Sequence, residues 1–391
     1  MKHMVKLTAI ALFAPFAANA STWSGTGGDW SSDGNPGWNG TGVPNARGAI
    51  AEFTTSGTVT IDIPAGVTLG SLMYSLPGTG DRGIIDPNNP IIMDNGAGMA
   101  VIKNETASRW MIYASQLPKG FDAVDDLLVV NSGAATGAYS IYLQTKIKTA
   151  GDLHIDNISA NPNVAVIYFQ GINEIAGDIH LLRGAIHIQM GNGNELGNAN
   201  NTLYVGSAGN GSAFVNYSAG GGVYSPVVVN GESGGELTVG SLHATANTWF
   251  HGTVALDGDL TVSNSNAAPG RMRFIGKISG SGALTLKGPG MTWLENNNDH
   301  TGGTVIEAGT TVAAHASAFG TGPLEIKDGA ALQLDTGVTV DSLKINGKLQ
   351  PKGVYGATGS GARYIDDERF SGTGVLAVLN GCPLPTLLLL K

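Results

Sequence analysis

The feature that most constrains this chain is a series of very short strand-like segments, each stopped by glycine. Three of them follow one another: Gly282-Ala-Leu-Thr-Leu-Lys-Gly288, Thr301-Gly-Gly-Thr-Val-Ile-Glu-Ala-Gly309 and Gly322-Pro-Leu-Glu-Ile-Lys-Asp-Gly329. Alternation of apolar and polar residues turns one face of a strand inward and the other toward water. A segment of this length cannot bury its inner face alone, whereas stacked copies can, so the pattern predicts an all-β solenoid.

A second pattern recurs at longer spacing and supports the same fold. Gly151-Asp-Leu-His-Ile155 is repeated as Gly177-Asp-Ile-His-Leu181, and Gly258-Asp-Leu-Thr-Val262 follows after an interval close to three times as long. Periods of about 20–27 residues suit one coil of a parallel β-helix. Packed β-sandwiches are the structural alternative, but they would not explain the recurring order of glycine, acid and Leu or Ile.

The composition agrees with β structure that is rich in tight turns. The 391 residues include 59 glycines, and 42% are hydrophobic while only 13% are charged. The chain is therefore too apolar to be disordered, and poorer in charged residues than helical proteins usually are. Cys382 is the one cysteine, which excludes an internal disulfide and a metal site built from cysteines.

The N-terminus predicts export from the cell. Lys2 and Lys6 precede a short apolar stretch, and Ala18-Asn19-Ala20 supplies the small residues of a signal-peptide cleavage site, so we expect cleavage after Ala20. The mature protein should be secreted or exposed on the outer surface, without a transmembrane segment. Cleavage removes two lysines and no acids, which changes the net charge from −9 to −11 (−9 − 2 = −11). An acidic chain without a basic run is a poor partner for nucleic acid.

The patterns divide the chain into four parts. In chain order they are the signal peptide (1–20), an aromatic N-terminal cap region (21–57), the β-helix repeats (58–380) and a short irregular tail (381–391).

The cap region contains three closely spaced tryptophans, Trp23, Trp30 and Trp38. We interpret them as a cover for the open end of the solenoid, because large rings shield apolar surface efficiently. A platform on which glycans stack is the alternative interpretation of the same three rings.

Residues 276–350 carry the most specific pattern. Ile278-Ser-Gly-Ser-Gly-Ala-Leu-Thr-Leu-Lys-Gly288 is followed by Asn297-Asn-Asp-His-Thr-Gly-Gly-Thr-Val-Ile-Glu-Ala-Gly-Thr310. This pair resembles the autotransporter-associated β-strand repeat of secreted bacterial proteins. The resemblance implies a right-handed parallel β-helix displayed outside the cell. Autotransporters also carry a C-terminal β-barrel, and the stretch between Gly374 and Lys391 is too short for one, so we expect a passenger-like protein without its own barrel.

Three histidines are candidates for a metal site. His154 and His180 occupy equivalent positions in two copies of the glycine–acid template, so on neighbouring coils their rings would stack on the surface about 5 Å apart, the spacing of adjacent strands. His187 follows on a nearby strand, and three imidazoles could hold a metal. Surface histidines on a β ladder are commonly solvated, and we therefore expect no metal and no cofactor.

Clustered carboxylates are the candidates for catalysis. Parallel β-helices also host polysaccharide lyases and glycoside hydrolases, whose sites use such carboxylates together with Lys or Arg. The candidates here are Asp125 and Asp126, and Asp366, Asp367 and Arg369. Neither group forms a recognisable catalytic signature, and adjacent residues of a strand face opposite sides, so solvated turn acids are the favoured interpretation.

Two function classes follow from the sequence. The first is a structural or adhesive surface protein without catalysis, whose partner is a glycan or an extracellular or cell-surface protein. The second is a carbohydrate-active β-helix enzyme. The two differ in whether carboxylates from separate coils converge with a Lys or Arg, and we favour the first.

Overall fold

The computed structural model of the chain describes residues 20–23, 27–31, 37–40, 42–54, 60–75, 81–83, 89–106, 109–113, 120–133, 139–158, 164–189, 195–196, 199–217, 220–241, 245, 247–266 and 270–383. The predicted signal peptide, apart from Ala20, and positions 384–391 of the predicted tail lie outside the described residues.

The described residues form strands and no helix, which confirms the all-β prediction. In chain order the first strands are β1 (Ala20–Trp23), β2 (Gly27–Asp29), β3 (Trp38–Asn39), β4 (Ile50–Phe53), β5 (Thr60–Asp62), β6 (Thr68–Leu69), β7 (Ser71–Tyr74), β8 (Asp81–Gly83), β9 (Ile91–Met93), β10 (Ala100–Asn104), β11 (Arg109–Tyr113), β12 (Gly120–Ala123), β13 (Leu127–Asn131) and β14 (Tyr139–Gln144). They continue with β15 (Lys146–Thr149), β16 (Leu153–Asn157), β17 (Val166–Phe169), β18 (Glu174–Ile175), β19 (Ile179–Ile188), β20 (Leu203–Val205), β21 (Gly211–Tyr217), β22 (Gly221–Val223), β23 (Val227–Val229), β24 (Gly234–Ser241), β25 (Thr248–Phe250), β26 (Val254–Leu256), β27 (Leu260–Asn264) and β28 (Arg271–Phe274). The last are β29 (Ile278–Gly280), β30 (Leu284–Lys287), β31 (Met291–Leu294), β32 (Thr304–Ile306), β33 (Thr310–Ala313), β34 (Leu324–Ile326), β35 (Ala331–Leu334), β36 (Val338–Val340), β37 (Leu343–Ile345), β38 (Lys348–Leu349), β39 (Gly353–Gly356), β40 (Tyr364–Ile365), β41 (Phe370–Gly372) and β42 (Leu376–Val378).

Most strands pair in parallel within long sheets. A 24-stranded sheet contains two parallel runs, β4-β7-β10-β13-β16-β19-β20-β23-β26-β29 and β8-β11-β14-β17-β19-β21-β24-β27-β30-β32-β34-β37, which share β19. A five-stranded sheet contains β6-β9-β12-β15-β18, and a seven-stranded sheet contains β22-β25-β28-β31-β33-β35-β41. Among the described strands, antiparallel pairs occur at β1–β3, β37–β38 and β39–β42.

The chain visits these sheets in a fixed order. Between β13 and its parallel neighbour β16 it passes through β14 in the second run and β15 in the five-stranded sheet. One coil therefore leads from Leu127 to its partner Leu153, and the next leads from Leu153 to Ile179. These returns have the same spacing as the two copies of the glycine–acid template, and the arrangement is consistent with a β-helix or solenoid.

A continuous apolar column fills the space between the sheets. Successive strands of the first run place in register a set of aliphatic side chains that are at most 1% exposed. They are Leu127, Leu153, Ile179, Leu203, Val227, Val254 and Ile278. Burial of one such side chain contributes about 1.5–3 kcal/mol relative to exposure, and the contribution recurs at every coil. The inward face therefore holds the strands in register.

A buried amide column accompanies the aliphatic one where three strands end. Asn104, Asn131 and Asn157 pair in register and are all fully buried. The Nδ2 of Asn131 donates to the Oδ1 of Asn157 at 2.8 Å, and the Nδ2 of Asn157 donates to the carbonyl of Ala185 at 2.9 Å. Buried amides are costly unless they are hydrogen-bonded, so the contacts of the Nδ2 groups favour the register in which they form.

The glycine–acid template does not mark a single column. Leu153 and Ile179, which follow Gly151-Asp and Gly177-Asp, pair in the first run. Leu260, which follows Gly258-Asp, pairs with Leu284 in the second run. The long interval before Gly258 is thus not three turns of one column, because the same short motif begins strands at two different corners.

Removal of one buried column residue should weaken the structure far more than removal of the same side chain at the surface. Leu203→Ala should lower the free energy of unfolding by about 2–5 kcal/mol, since a cavity is left between neighbouring coils. The matched control is Leu349→Ala, because Leu349 is 44% exposed, and its effect should stay within about 0.5 kcal/mol. Urea unfolding followed by circular dichroism measures both, and equal effects would contradict the proposed core.

Candidate functional site

Three aspartates form a column on consecutive coils, directly before β13, β16 and β19. The Oδ1 of Asp126 accepts the backbone N–H of Asp152 at 2.8 Å, and the Oδ1 of Asp152 accepts that of Asp178 at 2.8 Å. The Oδ1 of Asp178 accepts the N–H of Thr202, again at 2.8 Å. Each carboxylate thus links its own coil to the next, which explains why an acid recurs in the template.

Asp152 and Asp178 each follow a glycine, and these glycines make room for the contact. A Cβ at Gly151 would lie 2.2 Å from the Oδ1 of Asp126, and a Cβ at Gly177 would lie 2.1 Å from the Oδ1 of Asp152. Both distances are far inside van der Waals contact. The template therefore pairs glycine with aspartate because the carboxylate of one coil occupies the space that a side chain of the next coil would need.

Two imidazoles stack beside the aspartate column. His154 and His180 pair in register, and their ring centroids lie 4.8 Å apart with an interplanar angle of 11°. The stacking on adjacent strands is the predicted one. The predicted surface exposure of His154 is wrong, since the residue is only 6% exposed. Tyr204 extends the column, with its ring 4.8 Å from that of His180.

Each imidazole faces the aspartate of the preceding coil. The Nε2 of His180 lies 3.2 Å from the Oδ2 of Asp152, and the Nε2 of His154 lies 3.8 Å from the Oδ2 of Asp126. The Nδ1 of His154 is buried without a hydrogen-bond partner. Ligand atoms of Asp126, Asp152 and His154 all lie within 4.8 Å of one another. We call these three residues and His180 the Asp–His column.

The surroundings shift two ionisation equilibria in and beside the Asp–His column. Burial, and then the charge of His180, lower the pKa of His154 below its ordinary value, although the carboxylates of Asp126 and Asp152 partly oppose this. Burial, followed by the charges of Asp178 and Asp152, raises the pKa of Tyr204. The desolvated imidazole of His154 is therefore favoured in its neutral form, which can offer a lone pair to an electrophile or a metal.

His187 does not join this group, contrary to the three-histidine prediction. It lies on β19 like His180, but beyond a bend at Gly184, which has a φ of +73°. Past the bend the strand pairs in the second run, where His187 is in register with Tyr168 and Asn216. In the structure, His154 and His180 lie beside the carboxylates of Asp126 and Asp152, which the sequence analysis did not predict.

The other candidate acids fall into separate environments. Asp125 is exposed. The Oδ1 and Oδ2 of Asp367 accept hydrogen bonds from the N–H and hydroxyl of Thr358, and these contacts lower the pKa of Asp367. Asp366 instead faces Arg369, with its Oδ2 3.1 Å from the guanidinium. The two neighbouring acids thus contact different partners.

The guanidinium of Arg369 contacts carboxylates from separate parts of the chain. Its guanidinium lies 3.0 Å from Glu368 and 3.6 Å from Asp328, in addition to Asp366. Asp366 also accepts the backbone N–H groups of Glu368 and Arg369 through its Oδ1. Its oxygens are thus engaged in local contacts, and the arrangement is that of an ion-paired turn.

Burial corrects the glycan-stacking interpretation of the N-terminal tryptophans. Trp23, Trp30 and Trp38 are at most 1% exposed. The rings of Trp23 and Trp30 lie 5.2 and 4.7 Å from that of Trp38 in edge-to-face contacts. The Nε1 of Trp30 donates to the carbonyl of Pro44, and that of Trp38 donates to the carbonyl of Trp30. Their faces are covered by one another and cannot receive a sugar.

Sequence reasoning missed a second aromatic surface on the seven-stranded sheet. Trp249, Arg273 and Trp293 pair in register on β25, β28 and β31, and all three are half-buried. The guanidinium groups of Arg271 and Arg273 lie 5.2 and 5.6 Å from the ring centroid of Trp293. We call these four residues the Trp–Arg surface. In the sequence, Trp249, Arg273 and Trp293 are separated by about one coil each, which was the available signal. The signal could be recognised only once the boundaries of the coils were known.

Glu295 supports the Trp–Arg surface from the side. It forms a two-pronged ion pair with Arg273, with 2.6 Å between the Nη2 and Oε2 atoms, and this contact raises the pKa of Arg273. Arg273 is therefore held against the tryptophan. Arg271, in contrast, is exposed.

His300 is a buried turn residue in the segment that resembles the repeat. It is fully buried, its Nε2 lies 2.9 Å from the hydroxyl of Thr304, and its Nδ1 has no hydrogen-bond partner. Burial lowers the pKa of His300 to about 4, and the nearby charge of Asp299 opposes the shift. The residue is thus held neutral inside the fold, which is consistent with a structural role for this turn.

Comparison with known proteins relates part of the chain to an adhesin. The chain is 33% identical over 150 residues to the adhesin BmaC autotransporter of Brucella suis biovar 1 (strain 1330), and the match covers 37% of this chain. It spans about 4% of the length of that relative. No protein-family model matches the chain, and no solved structure matches it. In the described part of the chain, no helix has the length and apolarity needed to cross a membrane.

Gly177→Ala should break the contact between two coils. The added Cβ would collide with the Oδ1 of Asp152, so we expect a loss of about 1–3 kcal/mol in the free energy of unfolding. Gly337→Ala is the matched control, because nothing lies within 4 Å of a Cβ at that position. Thermal unfolding of the two variants measures the difference. A Gly177→Ala protein as stable as the control would show that the carboxylate contact does not constrain this position.

Stability should fall in acid partly through His300. Its pKa is about 4 in the folded state and about 6.5 in the unfolded state. As the pH falls below about 6.5, His300 becomes protonated in the unfolded chain, whereas in the folded chain it stays neutral until about pH 4. The neutral histidine therefore contributes about 3 kcal/mol to the free energy of unfolding above pH 6.5, and this contribution is lost as the pH falls from about 6.5 to about 4. Burial also lowers the pKa of His154, so this residue should make stability fall in acid in the same direction.

Urea unfolding between pH 7 and pH 4 measures this dependence. His300→Gln should flatten the slope relative to the parent chain. Identical slopes in the variant and the parent would be inconsistent with the assigned role of His300.

Proposed function

We propose that this chain is a right-handed parallel β-helix of the autotransporter passenger type, exported from a bacterial cell, and that it acts at the surface as an adhesin without catalysis. The observation that carries the proposal is the match to an autotransporter adhesin over more than a third of the chain. We also propose that residues 276–350 form repeats of the autotransporter-associated type.

The fold supports an elongated display structure. Strands of three sheets return at intervals close to the predicted period, and a continuous apolar column runs through the interior. A stack of this kind grows along one axis and offers outward-facing columns of side chains at regular spacing. Such surfaces suit repeated weak contacts with a partner better than they suit one deep catalytic cleft.

The proposed cleavage site lies inside the first described strand. Cleavage after Ala20 would leave Ser21 at the new terminus, inside β1, which pairs in parallel with β4. The mature chain would therefore begin inside β1 and keep residues 21–23, which pair with residues 51–53, while the pairing of Ala20 with Ile50 would be lost.

We place the contact with the partner at the Trp–Arg surface. Tryptophan, tyrosine and arginine dominate the energetics of known interfaces. Here Arg271 is exposed beside the half-buried Trp293, and Tyr224, 49% exposed, stacks on His251 next to Trp249. Stacking rings with adjoining guanidinium groups fit a glycan that carries carboxylate or sulfate groups, because apolar ring faces and charges are offered together.

A carbohydrate-active enzyme is the second candidate, and one observation favours keeping it. Asp328 and Asp366 approach Arg369 from different parts of the chain, which is the convergence expected of a polysaccharide-cleaving site. The guanidinium, whose protonated form is stabilised by Asp366 and Glu368, is a charge clamp and not a base.

Binding of the purified chain to an array of neutral and acidic glycans tests the proposal. We expect acidic glycans to bind, and Arg271→Ala to lower the apparent affinity by about tenfold, which corresponds to about 1.4 kcal/mol. Arg363→Ala is the matched control, because Arg363 is also exposed and lies over an aromatic ring, that of Tyr364, at 5.4 Å.

Two outcomes would overturn the proposal. Equal losses in Arg271→Ala and Arg363→Ala would show that only net charge matters and that the Trp–Arg surface is not the contact. Cleavage of any glycan on the array, abolished by Asp366→Ala, would replace the adhesin with the carbohydrate-active enzyme.

A further inference from the structure

We propose that the Asp–His column contains a binding site for a divalent transition-metal ion of the Zn²⁺ class, held by Asp126, Asp152 and His154. The ion would connect two consecutive coils. This site is independent of the adhesive role, since its residues lie on a different sheet from the Trp–Arg surface.

The spacing of the donor atoms fits a small tetrahedral ion. Bonds from Zn²⁺ to imidazole nitrogen or carboxylate oxygen place neighbouring ligand atoms about 3.4 Å apart. One ligand atom of each of Asp126, Asp152 and His154 lies within 4.8 Å of the others, and the Nε2 of His154 lies 3.8 Å from the Oδ2 of Asp126, so a small adjustment of the side chains would bring the three atoms to this spacing. His180 instead contacts Asp152 directly at 3.2 Å, and its ring lies too far from that of His154 for both to bind one ion. The gap between His154 and Asp126 is too long for a direct hydrogen bond.

The two oxygens of each carboxylate have different roles. The Oδ1 atoms of Asp126 and Asp152 accept backbone N–H groups of the following coil, which fixes the orientation of both side chains. Their Oδ2 atoms are left to face the imidazoles. A carboxylate that is oriented by a hydrogen bond to one oxygen and presents the other is the usual state of a metal ligand.

His154 provides the second, independent observation. The residue is only 6% exposed, its Nδ1 has no hydrogen-bond partner, and its Nε2 points at the Oδ2 of Asp126 across a gap of 3.8 Å. A buried imidazole that makes no hydrogen bond is costly. A cation between the Nε2 and the carboxylates would bind the Nε2, while the Nδ1 faces away from the ion and takes no part in binding.

Charge and access favour the same occupant. Three aspartates stack at consecutive coils, about 4.8 Å apart, and a dication would relieve their mutual repulsion. The side chains of Asp126 and Asp152 are 39% and 38% exposed, so an ion can enter from solvent. Imidazole nitrogen together with carboxylate oxygen selects Zn²⁺ over Ca²⁺, which takes six to eight oxygen ligands.

Calorimetric titration of the EDTA-stripped chain with ZnCl₂ tests the site. We expect one Zn²⁺ per chain and a rise in the thermal unfolding temperature, while CaCl₂ produces neither. Asp126→Asn and His154→Gln should each weaken Zn²⁺ binding by about tenfold or more. The asparagine keeps an Oδ1 acceptor for the N–H of Asp152, so this variant should fold.

Asp178→Asn is the matched control. Asp178 occupies the next position of the same aspartate column, and its Oδ1 also accepts a backbone N–H, but the ring of the following coil is that of Tyr204 and not a histidine. This variant should bind Zn²⁺ like the parent. If the parent shows no Zn²⁺-dependent heat or thermal shift, or if all three variants bind Zn²⁺ equally, the proposal is wrong.

If Asp126→Asn or His154→Gln does not fold, Asp152→Asn and the response of the parent to Zn²⁺ against Ca²⁺ decide the matter. A thermal shift caused equally by both ions would also overturn the assignment, because it would indicate general charge screening by the acidic surface.

Discussion

Close approach of one coil to the next is the constraint on which the rest of this structure depends. Parallel strands about 4.8 Å apart leave no room for a side chain wherever a turn of one coil lies directly over a turn of its neighbour. Glycine satisfies this condition at Gly151 and Gly177, and the carboxylates of Asp126 and Asp152 then reach the backbone N–H groups above them. The aliphatic and amide columns extend the same register inward.

Much of this fold could be predicted from local sequence patterns because these patterns recur with the length of one coil. Alternation in short segments identifies strands, and the interval between Gly151 and Gly177 equals the spacing of the paired residues Leu153 and Ile179. The prediction failed where one motif has two uses. Gly258-Asp begins a strand of a different run from Gly177-Asp, and nothing in the short motif distinguishes the corner of the coil that it occupies.

The candidate sites were only partly visible in the sequence for a related reason. The stacking of His154 on His180 followed from equivalent positions in a repeat, whereas their contacts with Asp126 and Asp152 join each coil to the one before it. Burial of His154 depends on packing outside its own strand. Likewise, the three N-terminal tryptophans were candidates for binding because they lie close together in the sequence, but they are buried. Trp249 and Trp293 lie far apart in the sequence, yet they share a surface.

The short antiparallel strand β38 has a consequence for how copies of the protein meet. Parallel stacks leave an unpaired backbone edge at each end, which invites another chain to add a strand and begin a fibre. Here β38 folds back along β37 and pairs Lys348 with Ile345 and Leu349 with Lys344. The hydrogen-bonding groups of β37 are thus occupied from within, and lysines line the rim. A strand of another chain therefore cannot pair directly with β37 at this edge.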